Sequence, residues 1–277
     1  MRTSRVCVLA GAAVSAAILC VASAPAQAAD LGYGSVKDIP PPPAPSGRAW
    51  YLKGTIGMSN PEPGAFFVDE PAFVNHTMHH EDIKSGGIYG FGIGVEHSRW
   101  LRFDVTGEYR GKQLVVGQDS YSYGACGTPG NCGTNEYTAD MESWVGLANA
   151  YIDLGTFRGI TPYVGGGIGF ASIDMQGFKD VNVPNNSVFY GDRDNQTTNF
   201  AWALYAGLSY DVTPQLTLDF AYRYTDLGTV KTGPATAFDG SSTYSGLQVQ
   251  DITSHDLLLS ARYRLDHPQP MYPVAMK

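Results

Sequence analysis

The strongest constraint on the fold is a strict two-residue alternation, which is clearest over residues 100–110. The odd positions from Leu101 to Tyr109 are apolar or glycine, whereas the even positions from Arg102 to Arg110 are polar or charged. Side chains point to opposite faces at successive residues of a strand, so this pattern predicts a β-strand and not a helix. Such a strand fits either a half-buried sheet in a soluble protein or a membrane strand whose apolar face meets lipid.

Seven further segments repeat the alternation. With residues 100–110 they predict eight strands, at 49–58, 89–96, 100–110, 140–154, 161–171, 199–212, 216–227 and 252–265. Most of these are longer than the ~5–6 residues that are common in soluble domains. They are about as long as the ~9–11 residues that a tilted strand needs to cross a bilayer. An even number of strands is also what a closed antiparallel barrel in a bacterial outer membrane requires.

The connections between the predicted strands alternate between long and short. The long, mostly polar connections are residues 59–85, 111–139, 172–198 and 228–251, and the short ones are residues 98–99, 155–160 and 213–215. Outer-membrane barrels have long external loops and short periplasmic turns, whereas soluble sandwiches follow no such rule. We therefore predict an all-β fold: an eight-stranded antiparallel up-and-down transmembrane β-barrel with four long external loops, integral to the cell outer membrane.

The polar faces of the strands predict a charged lumen. Its expected members are Lys53, Glu96, Arg102, Asp104, Glu108, Arg110, Asp153, Asp211, Asp219, Arg223, Asp256, Arg262 and Arg264. On the lipid face, each basic side chain would cost about 2–4 kcal/mol at the bilayer midplane. Because eight strands enclose a space that side chains just fill, we expect a plug of ion pairs and tyrosines. Inward glycines would make room for these long side chains at Gly90, Gly92, Gly94, Gly165, Gly167 and Gly169.

Aromatic residues on the apolar faces fall into two groups. Trp50, Tyr210 and Tyr263 lie at the periplasmic ends of the predicted strands, and Tyr89, Tyr109, Trp144, Phe170, Trp202 and Tyr224 lie near the external ends. Amphipathic rings concentrate at the two membrane–water interfaces, so the pattern predicts two aromatic girdles. Trp100 is an exception, because strict alternation places it on the same face as Arg102.

The first 28 residues predict a secretory signal peptide. Arg2 and Arg5 precede an Ala-rich apolar run, and the A-x-A sequence at 26–28 predicts a mature chain that starts at Ala29. A membrane-anchor helix is the alternative interpretation of this run. The segment is short and Ala-rich for a span, which favours the signal peptide.

The remainder of the chain divides into three predicted parts. Residues 29–48 form a Pro-rich periplasmic leader, because the four prolines at 40–43 cannot join a β-ladder. Residues 49–265 form the barrel, and residues 266–277 form a C-terminal tail. One hypothesis is that the amine of Ala29 is attached to peptidoglycan and that the leader spans from the wall to the barrel. An inert spacer is the simpler alternative.

Four motifs connect the chain to a known family. They are Trp50–Gly54 (WYLKG), Tyr151–Gly155 (YIDLG), Thr161–Gly169 (TPYVGGGIG) and Ser254–Asp256 (SHD). The chain resembles the small alphaproteobacterial outer-membrane β-barrel proteins, which are the RopB-like relatives within the wider eight-stranded OmpA-like group. The resemblance covers about residues 48–265 and implies an abundant envelope protein with no enzymatic role and no cofactor. The last strand departs from that pattern, because it ends with Tyr263-Arg264-Leu265 where the family has a terminal aromatic.

Two sets of residues in the external connections are candidates for chemistry. Cys126 and Cys132 predict a disulfide in an oxidising compartment, since a metal site would need a nearby histidine or a second cysteine pair. His76, His79 and His80 offer ligands that suit zinc or copper. The alternative is a solvated loop with incidental histidines, and because no fixed geometry is evident we predict no metal site.

Other motifs do not predict a site. Asp192–Asn195 lacks the turn glycine and the final glutamate of an EF-hand loop. Gly90, Gly92 and Gly94 alternate along a strand and no helix follows, which argues against a phosphate-binding loop. The sequence has no G-x-S-x-G, H-E-x-x-H or Walker motif.

The features together favour a structural protein over a catalyst. We predict a role in envelope integrity and in display of surface loops for interaction or adhesion; the alternatives are a narrow porin-like channel for small solutes and, third, a barrel enzyme. The expected partners are outer-membrane lipid and lipopolysaccharide, the barrel-assembly machinery, peptidoglycan through Ala29 and host surface ligands. Nucleic acid is not among them, because the formal net charge is −8 and an acidic surface repels phosphate backbones.

Overall fold

A computed structural model describes residues 49–68, 75–128, 131–191 and 195–266. The predicted signal peptide and leader, residues 267–277 of the predicted tail, and Asp192–Asp194 lie outside these ranges. Thirteen strands occur in the described part: β1 Ala49–Glu62, β2 Ala65–Val68, β3 Asn75–Ile83, β4 Gly86–Glu96, β5 Leu101–Ser122, β6 Cys132–Asp153, β7 Ile160–Asn182, β8 Val188–Gly191, β9 Asn195–Asp211, β10 Leu216–Lys231, β11 Ala235–Ala237, β12 Thr243–Tyr244 and β13 Leu247–Arg264. No helix within it is long and apolar enough to cross a membrane.

Eight of the strands form a closed antiparallel ring. Their order is β1–β4–β5–β6–β7–β9–β10–β13, and β13 returns to pair with β1. The closing ladder runs from Tyr51 opposite Arg264 to Glu62 opposite Thr253. Closure pairs the backbone groups that a sheet edge would leave open. The predicted eight-stranded up-and-down barrel is thereby confirmed.

The two faces of the ring differ as the alternation requires. On the outer face, Val105, Trp144 and Phe200 are 60%, 61% and 67% exposed. On the inner face, Arg102 and Arg223 are 1% and 0% exposed. A continuous apolar outer wall around a polar interior is the arrangement that suits hydrocarbon outside and a filled lumen inside.

One end of the barrel has short turns, at residues 97–100, 154–159 and 212–215. The other end carries the long connections. These contain more β-structure than predicted: β5 and β6 continue far into residues 111–139, β2 and β3 occupy much of 59–85, and β7 and β8 fill most of 172–191. The long connections therefore have the length and position that were predicted, and much of each one forms β-structure.

The strands extend beyond their predicted ends because the parity of the inward residues changes at β-bulges. In β5 the inward residues are even-numbered up to Arg110 and odd-numbered from Gln113, with a register shift between them. In β7 the same change follows Gly177, which has φ 62°. A bulge inserts one extra residue into a strand, so an alternation that is continuous in space is interrupted in sequence. For this reason the alternation of apolar and polar residues is broken in the sequence at points where the strand itself continues.

The long connections fold together into an external cap, defined as the described parts of residues 59–87, 111–143, 171–199 and 226–252. The cap has a buried apolar core, and it includes Phe66, Val68, Ile83, Val115, Tyr137, Ala139, Met141, Ile173, Met175, Phe178, Leu227, Val230, Ala235, Leu247, Val249 and Ile252. Burial at about 25 cal/mol per Å² of apolar surface makes such a core the main source of the cap's rigidity. The external connections are thus packed against one another.

Candidate functional site

The candidate functional site is the interior of the barrel, which is filled by three layers of polar side chains. In the lower layer, nearest the short turns, Arg262 donates through Nε to Asp219 Oδ2 at 2.6 Å and through Nη1 to Glu96 Oε1 at 3.1 Å. Arg264 Nε donates to the same Glu96 carboxylate at 3.0 Å. The pairs with Glu96 link β13 to β4, which are not neighbours in the ring because β1 lies between them.

Arg102 extends the lower layer to the opposite wall. Its Nε donates to Asp153 Oδ1 at 3.0 Å, and its guanidinium lies over the rings of Tyr151 and Tyr163, at 4.6 and 4.3 Å from their centroids. A guanidinium between two aromatic faces gains cation–π attraction, which is strongest where water is excluded. The 1% exposure of Arg102 meets that condition.

The middle layer is organised around Asp104. Its Oδ2 accepts hydrogen bonds from Lys53 Nζ and Tyr51 OH, both at 3.1 Å, and its Oδ1 accepts one from Asn149 Nδ2 at 2.8 Å. Lys53 also donates to Tyr151 OH at 3.1 Å. A buried carboxylate needs its lone pairs satisfied, and here donors from two other strands, β1 and β6, satisfy them.

The upper layer contains two guanidinium groups and two carboxylates. Arg223 donates to both oxygens of Glu108, at 2.7 and 2.8 Å, and through Nε to Asp256 Oδ2 at 2.9 Å. Arg110 donates to both oxygens of Asp256, at 3.2 and 2.8 Å. All four groups are at most 3% exposed. Bidentate geometry and charge balance offset the cost of removing these ions from water.

Glycines on neighbouring strands make this packing possible. Gly94 faces Tyr51, Gly165 faces Tyr151, and a Cβ on either glycine would lie 2.3 or 2.4 Å from the tyrosine ring. A Cβ on Gly167 would lie 2.0 Å from Asn149 Oδ1. Real Cβ atoms essentially never approach another heavy atom this closely, so a larger residue at any of these positions would force the neighbouring side chain to move. Each glycine provides the space that a long inward side chain on the next strand occupies.

Every residue predicted for the lumen lies in it or at its lower rim. Glu96, Asp153 and Arg264 are at the rim with partly exposed side chains, and Asp211 is the most exposed, at 46% of its side chain. Lys53, Arg102, Asp104, Glu108, Arg110, Asp219, Arg223, Asp256 and Arg262 are buried. Their ion pairs form three separate sets, one in each layer of the lumen.

The two candidate sites in the external connections have different outcomes. Cys126 and Cys132 form a disulfide. The histidines do not converge: His76 Nε2 lies 2.6 Å from Asp119 Oδ2, whereas His79 Nε2 lies 2.7 Å from Ser120 Oγ, and adjacent residues of β5 face opposite ways. Within the part of the chain that is described, no group of three His, Cys, Asp or Glu residues is arranged to hold a metal ion.

Sequence reasoning missed a buried polar cluster in the external cap. Asp119 accepts hydrogen bonds from Tyr137 OH and from the backbone N–H of Asn135, the latter at 3.0 Å. Asp180 accepts one from Tyr244 OH at 2.7 Å. Burial, reinforced by the charge of Asp119, raises the pKa of Asp180 to about 7. Alternation could have placed these residues on the inward face, but the bulges in β5 and β7 shift the alternation by one residue before Asp119 and Asp180 are reached.

Comparisons with known proteins agree with this geometry. A family model described as an outer membrane protein beta-barrel domain matches residues 13–264. An uncharacterized protein of Brucella suis biovar 1 (strain 1330) is 34% identical over 199 residues, which cover 66% of this chain and 70% of that protein. The outer membrane protein PagN of Salmonella typhimurium is 24% identical over 178 residues, which cover 57% and 69%.

Among solved structures, the neisserial surface protein A is similar with a TM-score of 0.44 and 17% identity, over 78% of this chain and 97% of that one. The family model spans nearly all of the barrel, and the Brucella relative supports the alphaproteobacterial resemblance of the four sequence motifs. The chain therefore belongs to the outer membrane protein β-barrel family, and it is an integral protein of the bacterial outer membrane.

Proposed function

We propose that this protein is a structural and interaction protein of the envelope: a sealed barrel that holds a rigid external cap at the cell surface. The observation that carries this proposal is the upper lumen layer, in which Arg223 bridges Glu108 and Asp256 across the interior. Moving these buried charges aside would leave them unpaired, at about 3–5 kcal/mol for each broken pair. That cost opposes a permanently open pathway for solutes.

The external cap supports the interaction part of the proposal. Its apolar core and the disulfide between Cys126 and Cys132 hold its outer surface in place. Tyr190 and Phe238 project from that surface, 51% and 74% exposed. Rigid, exposed aromatic side chains bind partners with little loss of conformational entropy. Lipopolysaccharide and host surface ligands are the partners we propose for this face.

The remaining partners follow from cellular location. An outer-membrane barrel is inserted by the barrel-assembly machinery, and we include that machinery among the proposed partners. Attachment to peptidoglycan through Ala29 remains a prediction from sequence. No catalytic role is proposed, because the buried carboxylates of the lumen are paired with cations and have no access to a substrate.

Conductance in planar bilayers tests the sealed barrel. The purified full-length protein should give no steady unitary current. A porin measured in the same bilayers serves as the positive control and should give its usual unitary current. Folded protein is identified beforehand by its altered gel mobility without boiling. A reproducible steady current from the folded form would favour the narrow channel instead.

Adhesion tests the role of the cap. Cells that display the protein are compared with cells that display Tyr190→Ser or Phe238→Ser, on surfaces coated with lipopolysaccharide or with host matrix. Phe157→Ser is the matched control, because Phe157 is 71% exposed but lies in a short turn at the other end of the barrel. We expect the cap variants to lower adhesion and the control to leave it unchanged. Equal adhesion by all variants would contradict the proposal.

A further inference from the structure

The external cap contains two buried carboxylates that are separate from the ion pairs of the lumen. Asp119 on β5 and Asp180 on β7 are 0% and 6% exposed. Both strands pair with β6, where Asp119 and Asp180 flank the segment that contains Asn135 and Tyr137. Among the described residues, neither carboxylate forms a salt bridge with lysine or arginine. The cap therefore buries negative charge without a cationic Arg or Lys partner.

The two carboxylates differ in how well they are hydrogen-bonded. Asp119 is surrounded by donors, namely Tyr137 OH, the N–H of Asn135 and the ring of His76. Asp180 accepts a hydrogen bond from Tyr244 through Oδ2, but its buried Oδ1 has no partner. An ionised carboxylate with one bare buried oxygen is costly, whereas the neutral acid removes the charge and supplies a hydrogen.

Asp180 also lies where one external connection rests on another. Tyr244 belongs to the β11–β12 flap, defined as residues 235–244. The flap is held to β8 by a short ladder, Ala235–Ala237 against Phe189–Gly191, and by an edge-on contact between the rings of Phe189 and Tyr244 at 5.4 Å. The backbone N–H of Phe238 also donates to Val188 O at 3.0 Å. The hydrogen bond between Tyr244 and Asp180 is the contact that joins the flap to β7.

We propose that Asp180 is a proton-binding site that controls the β11–β12 flap: the protonated acid holds the flap closed on β7, and loss of the proton loosens it. The titratable groups that face this site are His76 from β3, Asp119 and Tyr121 from β5, Tyr137 from β6 and Tyr244 from β12. Burial raises the pKa values of Tyr137 and Tyr244, so both remain neutral donors. The inference goes beyond the proposed function, and because Phe238 lies in the flap, the proton on Asp180 also controls how firmly that exposed aromatic side chain is held.

The direction of the pH effect follows from linkage. Burial raises the pKa of Asp180 to about 7 in the closed cap, whereas an exposed aspartate titrates near 3.9. The closed form therefore binds more protons than the loosened form between these values. Its stability is greatest in acid and falls as the pH rises toward about 7.

Hydrogen exchange measured by mass spectrometry on the full-length protein in lipid nanodiscs tests this inference. After correction for intrinsic exchange, opening of residues 235–244 should increase at least tenfold from about pH 5.5 to about pH 8.5. Asp180→Asn mimics the neutral acid, so its flap should stay protected at both pH values. Glu136→Gln is the matched control, because Glu136 is an exposed carboxylate on the adjacent strand, and it should behave as wild type.

Three results would overturn the proposal. One is equal protection of the wild-type flap at both pH values, which decides the matter even where Asp180→Asn does not fold. Another is an Asp180→Asn variant that keeps the wild-type pH dependence. A third is a pH dependence of exchange in the flap that shifts when a chelator is added, because the site would then bind a metal cation and not a proton. Tyr244→Phe should loosen the flap at both pH values and leave its pH dependence in the same direction.

Discussion

Arg223 on β10 and Glu108 on β5 form two parallel hydrogen bonds, at 2.7 and 2.8 Å, across the interior of the barrel. The two residues are 115 positions apart in sequence, and their strands are not neighbours in the ring. The pair therefore holds opposite walls together. Any role that needs an open interior would require this pair to separate.

Removal of one partner from this pair should be strongly destabilising. Glu108→Leu leaves Arg223 and Arg110 with only one carboxylate, Asp256, in a layer that excludes water. We expect a loss of about 3–5 kcal/mol in the free energy of unfolding, measured from urea titrations that follow gel mobility without boiling. Lys112→Met is the control, since Lys112 is exposed and its pair with Asp140 at 3.5 Å is a surface pair. The control should change stability by less than about 1 kcal/mol; similar losses in both variants would contradict the role of the layer.

The glycines of the lumen should not tolerate even a methyl group. Gly165→Ala would place a Cβ 2.4 Å from the ring of Tyr151, and overpacking of this kind costs about 1–3 kcal/mol. Gly107→Ala is a matched change on the outer wall, where nothing lies within 4 Å of the added Cβ. We expect lower stability only for Gly165→Ala, measured by the same urea titration. Equal stability of the two variants would show that Tyr151 can move aside.

The disulfide should stabilise the cap locally and leave the barrel unaffected. Cys126 and Cys132 are separated by six positions, and closing so short a loop is worth about 2 kcal/mol in the chain-entropy account. Replacing both with serine should speed proteolytic cleavage within residues 123–132. The gel mobility of the unboiled protein should not change. Loss of the folded band would instead mean that the disulfide supports the whole barrel.

Asp119 should set the proton affinity of Asp180. Asp119→Asn removes the like charge that helps to raise the pKa of Asp180, so the midpoint of flap opening should move to lower pH. The exchange rates of residues 235–244 as a function of pH report this midpoint. The outer-surface variant Glu136→Gln serves as the control and should leave it in place. If the midpoint is the same in Asp119→Asn as in the wild type, the charge of Asp119 does not affect the proton affinity of Asp180, and the prediction is wrong.

The barrel was predictable from sequence because its determinants are local. The apolar and charged faces of residues 100–110 alternate with period 2, which predicts a strand, and the alternation of long and short connections distinguishes a membrane barrel from a soluble sheet. The same alternation, applied to each strand in turn, places Lys53, Arg102 and Arg223 on the inward face. The list of lumen residues therefore needed no knowledge of which strands are neighbours.

The pairing of those residues was not predictable, because it depends on register and on contacts across the ring. Nothing in the sequence near Asp104 indicates that Lys53, Tyr51 and Asn149 all donate to it. The cap was missed for a different reason. One extra residue between Arg110 and Gln113, and another at Gly177, reverse the parity, so inward residues such as Asp119 and Asp180 seem to lie on the outer face.

The ladder that joins β1 to β13 has a consequence for biogenesis. It connects the beginning of the described chain to its end, so no shorter piece can complete the ring. Until the last strand is made, β1 presents a bare row of amides and carbonyls to whatever surrounds it. Long-range pairing of this kind is slow to form. The nascent protein therefore cannot close its ring before the segment Leu247–Arg264 has been made.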